Sequence, residues 1–321
     1  MNLSIKRLSF LVVVITFGLI VFGGYVASSQ SGLGCGPEWP LCNGKVIPTL
    51  QGETLIEFAH RVIGAILGVL TIILFAKVKR AKMSSAVRTA ANWMIVLLVF
   101  QVVMGAVIVW FHLPTFIIAV HLIIAMLYLA CVLVIWRRST KQKVIQRVVL
   151  SNQQQRKITR HIKVLLGLVL AILFVGAYVK HDFIGTSCGW ATCGGSVMPI
   201  TGPEFVQTTH RLLGIVLAVY SLLLTYWSFA KKWGASLQKR FSFVFMTIAV
   251  QVVLGILTIV TAIDIVWAML HVAVGTLLFA IVTEAYIFTA TLDKEKGKLV
   301  PFAIKQLPMK NGKSGSYSGQ R

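Results

Sequence analysis

The chain has 321 residues, of which 57% are hydrophobic and only 12% are charged, and its formal net charge at pH 7 is +22. This composition excludes an ordinary soluble domain, in which about a quarter of the residues are charged. It indicates an integral membrane protein whose basic residues lie between apolar segments rather than within them.

Eight apolar segments follow one another along the chain, each close to the length that a membrane-spanning helix needs. They cover approximately residues 8–28, 57–76, 91–111, 115–136, 164–180, 208–230, 241–262 and 266–290. Pro114 divides the long uncharged run between Thr89 and Trp136, because proline is tolerated at the start of a helix but breaks its interior. The sequence therefore predicts an all-α integral membrane protein with eight transmembrane helices.

The basic residues are distributed unevenly between the connecting segments. The stretches that carry 27 of the 31 Lys and Arg residues are 1–8, 77–90, 137–163, 231–240 and 291–321. Because loops rich in Lys and Arg stay in the cytoplasm, both termini are predicted to be cytoplasmic and the alternate loops to face outward. We attribute the basic excess to this topology and to contact with anionic membrane lipid. Nucleic acid is not an expected partner, since no aromatic and basic binding module accompanies the charge.

The two halves of the chain match each other at an offset of 150 residues. EFAHR at 57–61 corresponds to QTTHR at 207–211, QVVMG at 101–105 to QVVLG at 251–255, and His121 to His271. Because each half contains an even number of spans, the halves should share one orientation and be related by a pseudo-twofold axis near the membrane normal.

This internal repeat predicts two tandem four-helix bundles. The N-terminal half covers 1–136 and the C-terminal half covers 164–290. Between them lies a basic cytoplasmic linker or short surface helix at 137–163, and the polar tail at 291–321 is expected to be disordered.

Four histidines fall at matching positions of the repeat: His60 and His121 in the first half, and His210 and His271 in the second. A single histidine on an apolar helix face is usually a core residue that needs one hydrogen-bond partner. Two pairs at similar depth in the outer leaflet indicate ligands instead. Two imidazoles facing each other across a helix bundle are typical of six-coordinate heme iron, whereas zinc usually needs a third or fourth protein ligand.

The residues next to these histidines have two interpretations each. Gly64 and Gly214 follow the first histidine of each half by four positions. They either admit a flat macrocycle or pack against a neighbouring helix. Arg61 and Arg211 either pair with heme propionates or extend to the membrane surface without a specific partner.

Each half has two cysteines in its first outward loop, Cys35 and Cys42 in one and Cys188 and Cys193 in the other. Disulfides persist on the outer side of a membrane, and the spacing is compatible with one bridge in each loop without establishing it. The first pair has two interpretations. It either pins the loop over the heme pocket or acts as a dithiol that hands over electrons.

The two repeats, the motifs EFAHR and QTTHR, the later histidines and CGPEWPLC at 35–42 together resemble the heme A synthase family, in the form with a cysteine pair in each half. The resemblance extends over nearly all of residues 5–290. It implies a heme-modifying oxidoreductase of the bacterial cell membrane, with the cysteine loops on the outer face. Such an enzyme oxidises the C8 methyl of heme O to the formyl of heme A, which serves terminal oxidases.

The resemblance also implies how the histidines are used. His60 and His121 would bind the iron of the substrate heme in the first half. His210 and His271 would bind the iron of a heme b cofactor in the second half.

Glu57 and Gln207 lie three residues before the first histidine of their halves and differ in charge. A carboxylate beside a porphyrin edge can take a proton or stabilise positive charge on an oxidised methyl carbon, whereas an amide can only form hydrogen bonds. We therefore interpret Glu57 as catalytic. The alternative is that Glu57 lies in the first turn of its helix, where an acid is favourable.

The main alternative function is a di-heme electron-transfer protein similar to a membrane cytochrome b, without chemistry on the heme. The difference between Glu57 and Gln207 argues against it, because electron transfer alone has no evident need for that difference. A transporter built from parallel repeats is a third interpretation, and histidine pairs at equal depth argue against it. The expected partners are heme O, membrane lipid and an unidentified electron donor or acceptor; the sequence does not decide whether a heme O synthase docks to pass on its product.

Overall fold

The computed structural model describes residues 3–139, 150–181, 184–189, 192–193 and 198–292. Within these ranges the chain forms eight long helices and no β-strand. The helices are α1 (Leu3–Ser28), α2 (Gly52–Arg80), α3 (Ser85–Trp110), α4 (Thr115–Ser139), α5 (Asn152–His181), α6 (Gly202–Ala230), α7 (Ala235–Val260) and α8 (Ile265–Leu292). All eight are long and apolar enough to cross a membrane. The prediction of an all-α, multi-pass membrane protein is confirmed.

Most helices are longer than the apolar segments that predicted them. The clearest case is α5, which begins at Asn152, twelve residues before the apolar segment that starts at Val164. Polar residues with good helix propensity continue the helix beyond the apolar segment. Element boundaries are therefore set by local helix stability as well as by the span.

These extensions enter the predicted linker at 137–163 from both sides. Its first residues belong to α4, which ends at Ser139, and its last twelve belong to α5. Residues 140–149 lie outside the described residues, as does the predicted tail from residue 293 onward.

The centre of the molecule is formed by four helices, α1, α4, α5 and α8. α4 and α8 contact each other, α1 contacts α8, and α5 contacts α4. The flanking helices are α2 and α3 beside α1 and α4, and α6 and α7 beside α5 and α8. Within the first four helices the neighbouring pairs are the same as within the last four. His121 and His271 thus lie on the central helices α4 and α8, while His60 and His210 lie on the flanking helices α2 and α6.

Polar contacts join the two sets of four helices at both ends of the bundle. At one end Glu284 of α8 forms an ion pair with Arg137 of α4, which belongs to the other set. Glu284 also forms an ion pair at 2.8 Å with Arg240 of α7, within its own set. At the other end Nζ of Lys180 in α5 donates a hydrogen bond to the carbonyl of Gly24 in α1 at 2.7 Å. Charge-assisted hydrogen bonds of this kind are stronger than neutral ones, so they stabilise the docking of the two sets.

Candidate functional site

The two histidines of the second pair, His210 and His271, lie close together between α6 and α8, with the edge of one ring towards the other. The ring centroids of His210 and His271 are 6.4 Å apart, with an angle of 63° between the ring planes. A metal ion bonded to one nitrogen of each ring at about 2.0 Å, the usual zinc–imidazole distance, would separate the centroids by about 6.3 Å. The observed separation of the ring centroids is close to this value.

The later histidine of each half contacts a glutamine from the preceding helix. Nε2 of Gln101 in α3 lies 3.5 Å from Nε2 of His121 in α4. Nε2 of Gln251 in α7 donates to the backbone carbonyl of His271 in α8 at 2.9 Å. The two glutamines therefore fix α3 against α4 and α7 against α8 beside the histidines.

In the part of the chain that the structure describes, all four histidine rings have one nitrogen without a hydrogen-bond partner. Their Nδ1 atoms are buried and have no hydrogen-bond partner among the described residues. Among all the residues that the structure describes, no group of three or more His, Cys, Asp or Glu side chains could hold a metal ion. Pairs of imidazoles without a third protein ligand fit heme, which brings four equatorial nitrogens of its own, better than they fit zinc.

Each histidine ring also lies against a glycine of the adjacent helix. A β-carbon on Gly176 of α5 would lie 2.8 Å from Cε1 of His210, and one on Gly255 of α7 would lie 3.1 Å from Cε1 of His271. Real β-carbons essentially never come as close as the first of these distances. The absent side chain at Gly176 is therefore what lets the His210 ring occupy its position.

The first half shows the same relationship with more space. A β-carbon on Gly23 of α1 would lie 3.2 Å from Cε1 of His60, and one on Gly105 of α3 would lie 3.9 Å from Cε1 of His121. Sequence reasoning did not include these glycines in the site. The internal repeat could have identified two of them, because Gly105 and Gly255 end the matching motifs QVVMG and QVVLG.

Gly64 and Gly214, which the sequence did single out, face neighbouring helices. A β-carbon on Gly64 would lie 3.9 Å from Leu19 of α1, and one on Gly214 would lie 3.6 Å from Ile172 of α5. These contacts support the interpretation that both glycines serve helix packing.

Glu57 is buried, with 4% of its surface exposed, and both of its carboxylate oxygens have partners. Oε2 accepts a hydrogen bond from the backbone N–H of Cys35 at 2.7 Å, and Oε1 accepts one from Arg61 at 2.5 Å. The acid in the first turn of α2 is Glu53, so the alternative that Glu57 serves as a helix-start residue is wrong. Glu57 instead connects α2 to the first cysteine loop.

Gln207 connects α6 to the second cysteine loop in the same way but without charge. Its Oε1 accepts hydrogen bonds from the backbone N–H of Cys188 at 2.7 Å and from Oγ of Ser187 at 2.9 Å. Its Nε2 donates to the carbonyl of Gly185 at 2.8 Å. Gln207 thus donates from an amide N–H group, which a carboxylate does not have. Glu57 instead accepts a hydrogen bond from the cation of Arg61.

The two arginines that follow the first histidines also bind the cysteine loops. Arg61 donates to the carbonyl of Leu41 at 2.9 Å in addition to its ion pair with Glu57. Arg211 donates to the carbonyl of Gly189. Neither interpretation from the sequence included this role, because a backbone carbonyl acceptor has no signature in the residues that carry it.

Both predicted disulfides are present. Cys35 is bonded to Cys42 and Cys188 to Cys193, and all four residues are buried. Each bridge closes the loop segment that Glu57 or Gln207 holds by its first cysteine. The structural interpretation of the pairs agrees with this arrangement, and a redox role for the first pair stays a prediction.

The family of this chain is shown by its similarity to known proteins. A family model described as cytochrome oxidase assembly protein, COX15-CtaA, matches residues 6–283. The chain belongs to this family. The match covers all eight helices except the ends of α1 and α8.

Curated relatives within the COX15-CtaA family carry the name heme A synthase. The protein of that name from Macrococcus caseolyticus is 30% identical, over 87% of this chain and 94% of its own length. The one from Alkalihalophilus pseudofirmus is 28% identical, over 86% and 95%. The one from Bacillus cereus is 29% identical, over 94% and 99%. The similarity therefore extends over nearly the whole length of these relatives.

Proposed function

We propose that this chain is a heme A synthase, which oxidises the C8 methyl of heme O to the formyl group of heme A. Membership of the COX15-CtaA family and the names of the relatives support this function. The observation that carries it is the difference between two equivalent positions. Glu57 and Gln207 make the same backbone contact to a cysteine loop beside a histidine pair, and only one of them carries a charge.

The histidines hold the two hemes in this proposal. His60 and His121 bind the iron of the substrate heme O, and His210 and His271 bind the iron of a heme b. Heme b supplies one-electron redox chemistry when it is bound. The spacing of the second pair and the unpartnered ring nitrogens of all four histidines support this assignment.

Glu57 is the proposed catalytic residue. Arg61 and the N–H of Cys35 fix its two oxygens, so the carboxylate has one orientation beside the substrate site. A fixed negative charge there stabilises positive charge that develops on the oxidised methyl carbon, or takes up the proton released from it. Because the charge is held before the reaction begins, little reorganisation is needed during it.

The proposed topology places both termini in the cytoplasm and both cysteine loops on the outer face. The distribution of Lys and Arg supports it. Outward loops would lie where disulfides persist, in agreement with the two bridges. The reaction removes electrons and adds one oxygen atom, so it also needs an electron acceptor and an oxygen donor. A heme O synthase is a candidate source of the substrate.

One observation favours the second candidate, a di-heme electron-transfer protein. The ion pair between Glu57 and Arg61 gives the acid a structural use that needs no chemistry on the heme. Heme composition separates the two functions. The full chain is purified from cells that make heme B and heme O, and its hemes are extracted and identified by chromatography and mass spectrometry. Heme B together with heme O or heme A supports the synthase, and heme B alone in both halves contradicts it.

A further inference from the structure

A recess of about 380 Å³ lies between the first turns of α5 and the last turn of α8. It is far from the histidines and the cysteine loops, at the end of the bundle that we predict to be cytoplasmic. The residues that line it are Gln155, Arg156, Thr159, Arg160 and Lys163 of α5 and Ala290 of α8. None of these residues belongs to the proposed heme sites.

The recess is positively charged. Arg156, Arg160 and Lys163 are spaced by four and three positions, so they share one face of α5, and all three are exposed. Among the described residues, no carboxylate lines the recess and none forms an ion pair with these three cations. A ligand that fits this recess therefore carries negative charge, and phosphate oxygens are the acceptors that such a cluster recognises best.

The wall of the recess contains one further polar group. Gln155 is 4% exposed, and its Nε2 donates to the carbonyl of Thr289 at 3.0 Å, which fixes the orientation of the amide. Its Oε1 is buried and has no partner among the described residues. The fixed amide of Gln155 therefore forms part of the wall beside the three cationic donors.

The same face of α5 continues beyond the recess as an exposed apolar surface. Gly167 and Ala171 follow Lys163 at steps of four positions, and both are exposed. A β-carbon on Gly167 would meet no atom within 4 Å, so the space beside it is open. Val164, close to it in sequence, is 47% exposed. A cationic recess next to an exposed apolar helix face suits a ligand with an anionic headgroup and a hydrocarbon chain.

We propose that this recess is a specific site for an anionic phospholipid. Its phosphodiester lies among Arg156, Arg160 and Lys163, and one acyl chain runs along Gly167 and Ala171. Basic pockets between transmembrane helices on the cytoplasmic side bind anionic headgroups for the same electrostatic reason. The proposal does not depend on heme chemistry, since the site shares no residue with the heme sites.

The test is a titration of the full chain in neutral detergent with dioleoyl phosphatidylglycerol, in which native mass spectrometry counts the bound lipids. Dioleoyl phosphatidylcholine is the neutral comparison. The variant R156Q/R160Q/K163Q removes the three positive charges of the recess. The control variant K79Q/R80Q/R88Q removes an equal number of positive charges from exposed positions of α2 and α3. Each basic residue near an anionic surface contributes about fivefold to binding. We expect the first variant to bind phosphatidylglycerol on the order of 100-fold more weakly, and the second to keep parental affinity. Equal losses in the two variants would overturn a specific site.

A second variant tests the apolar face without changing charge. Gly167→Leu adds a bulky side chain to that face at a position where a β-carbon has no neighbour, so the helix should fold normally. It should weaken binding of dioleoyl phosphatidylglycerol and leave binding of glycerophosphoglycerol, the headgroup without chains, unchanged. Inorganic phosphate or the free headgroup binding as tightly as the lipid would indicate a site for a soluble anion and would overturn the lipid assignment.

Discussion

Oε2 of Glu57 accepts a hydrogen bond from the backbone N–H of Cys35 at 2.7 Å. In the second half, Gln207 accepts the corresponding bond from Cys188 at the same distance. The residue that precedes the first histidine of each half by three positions therefore also holds the disulfide loop. Loop, helix and histidine form one connected unit in both halves, and the two units differ in the charge of the residue at their centre.

Replacement of Glu57 by glutamine tests whether that charge serves chemistry. The variant keeps an oxygen acceptor for the N–H of Cys35 but loses the ion pair with Arg61. We expect both hemes to remain bound and unconverted or partly oxidised substrate heme to accumulate. Loss of electrostatic or proton-transfer catalysis should lower the rate of heme A formation on the order of 10²–10⁴-fold. The measurement is the amount of heme A formed per bound heme over time.

Gln207→Glu is the control for a buried acid at the other position. It should not confer oxidation on the second heme, because placement of the methyl group and electron delivery also have to match. Near-parental formation of heme A by Glu57→Gln would mean that Glu57 only holds the loop, and the difference between the halves would then need another cause.

Replacement of His210 or His271 by alanine tests the heme b site. Each variant removes one of the two imidazoles that would hold the heme b iron, and the rings of this pair are 6.4 Å apart. We expect either change to abolish the low-spin bis-histidine signal of the second half in electron paramagnetic resonance and visible spectra. An unchanged heme spectrum in both variants would exclude these residues as ligands.

Gly176→Ala tests whether the contact between α5 and the His210 ring matters. A β-carbon there would lie 2.8 Å from Cε1 of His210, so the ring has to move. Alanine favours a helix by about 1 kcal/mol over glycine, so a loss cannot come from helix propensity. We expect less heme b per protein and an altered low-spin signal.

Gly167→Ala, in the same helix, is the matched control, because a β-carbon at Gly167 meets no atom within 4 Å. This variant should retain the parental heme content and spectrum. If Gly176→Ala is also indistinguishable from the parent, the glycine does not position His210.

The sequence predicted the eight helices, and it proposed the histidine pairs, for clear physical reasons. A bilayer requires about 20 apolar residues for each span, and the internal repeat distinguished His60 and His121 from isolated core histidines. The ends of the helices were less predictable. Residues such as Asn152 and Arg156 extend α5 beyond the apolar segment, and hydropathy does not report where a polar helix end stops.

The neighbours of the histidines could not be predicted from the sequence. Gly176 contacts His210 only because α5 packs against α6 in one particular rotation, which periodicity leaves undetermined. Arg61 and Arg211 bind backbone carbonyls of folded loops, and such acceptors occur at every residue. The sequence identified the residue types of the site, but it did not decide between the two interpretations of each arginine.

Replacement of both Cys35 and Cys42 by serine tests the role of the first disulfide. If the bridge is structural, its loss should cost about 2–4 kcal/mol. The thermal midpoint and the heme content should then fall more than the turnover per bound heme.

The double serine variant of Cys188 and Cys193 removes the equivalent bridge of the second half. It should lower the thermal midpoint without affecting turnover per bound heme. If the variant of the first pair keeps its stability and heme content but loses turnover, the first pair acts as a redox dithiol.

The most direct test of a heme A synthase is conversion of heme O by the full chain. The chain is expressed in cells that make heme O but no heme A, and the cellular hemes are identified by chromatography and mass spectrometry. We predict that heme A appears with the parental chain and is absent with His60→Ala, which removes a proposed ligand of the substrate heme. Unchanged heme O in cells that contain folded, heme b-loaded chain would contradict the proposed function.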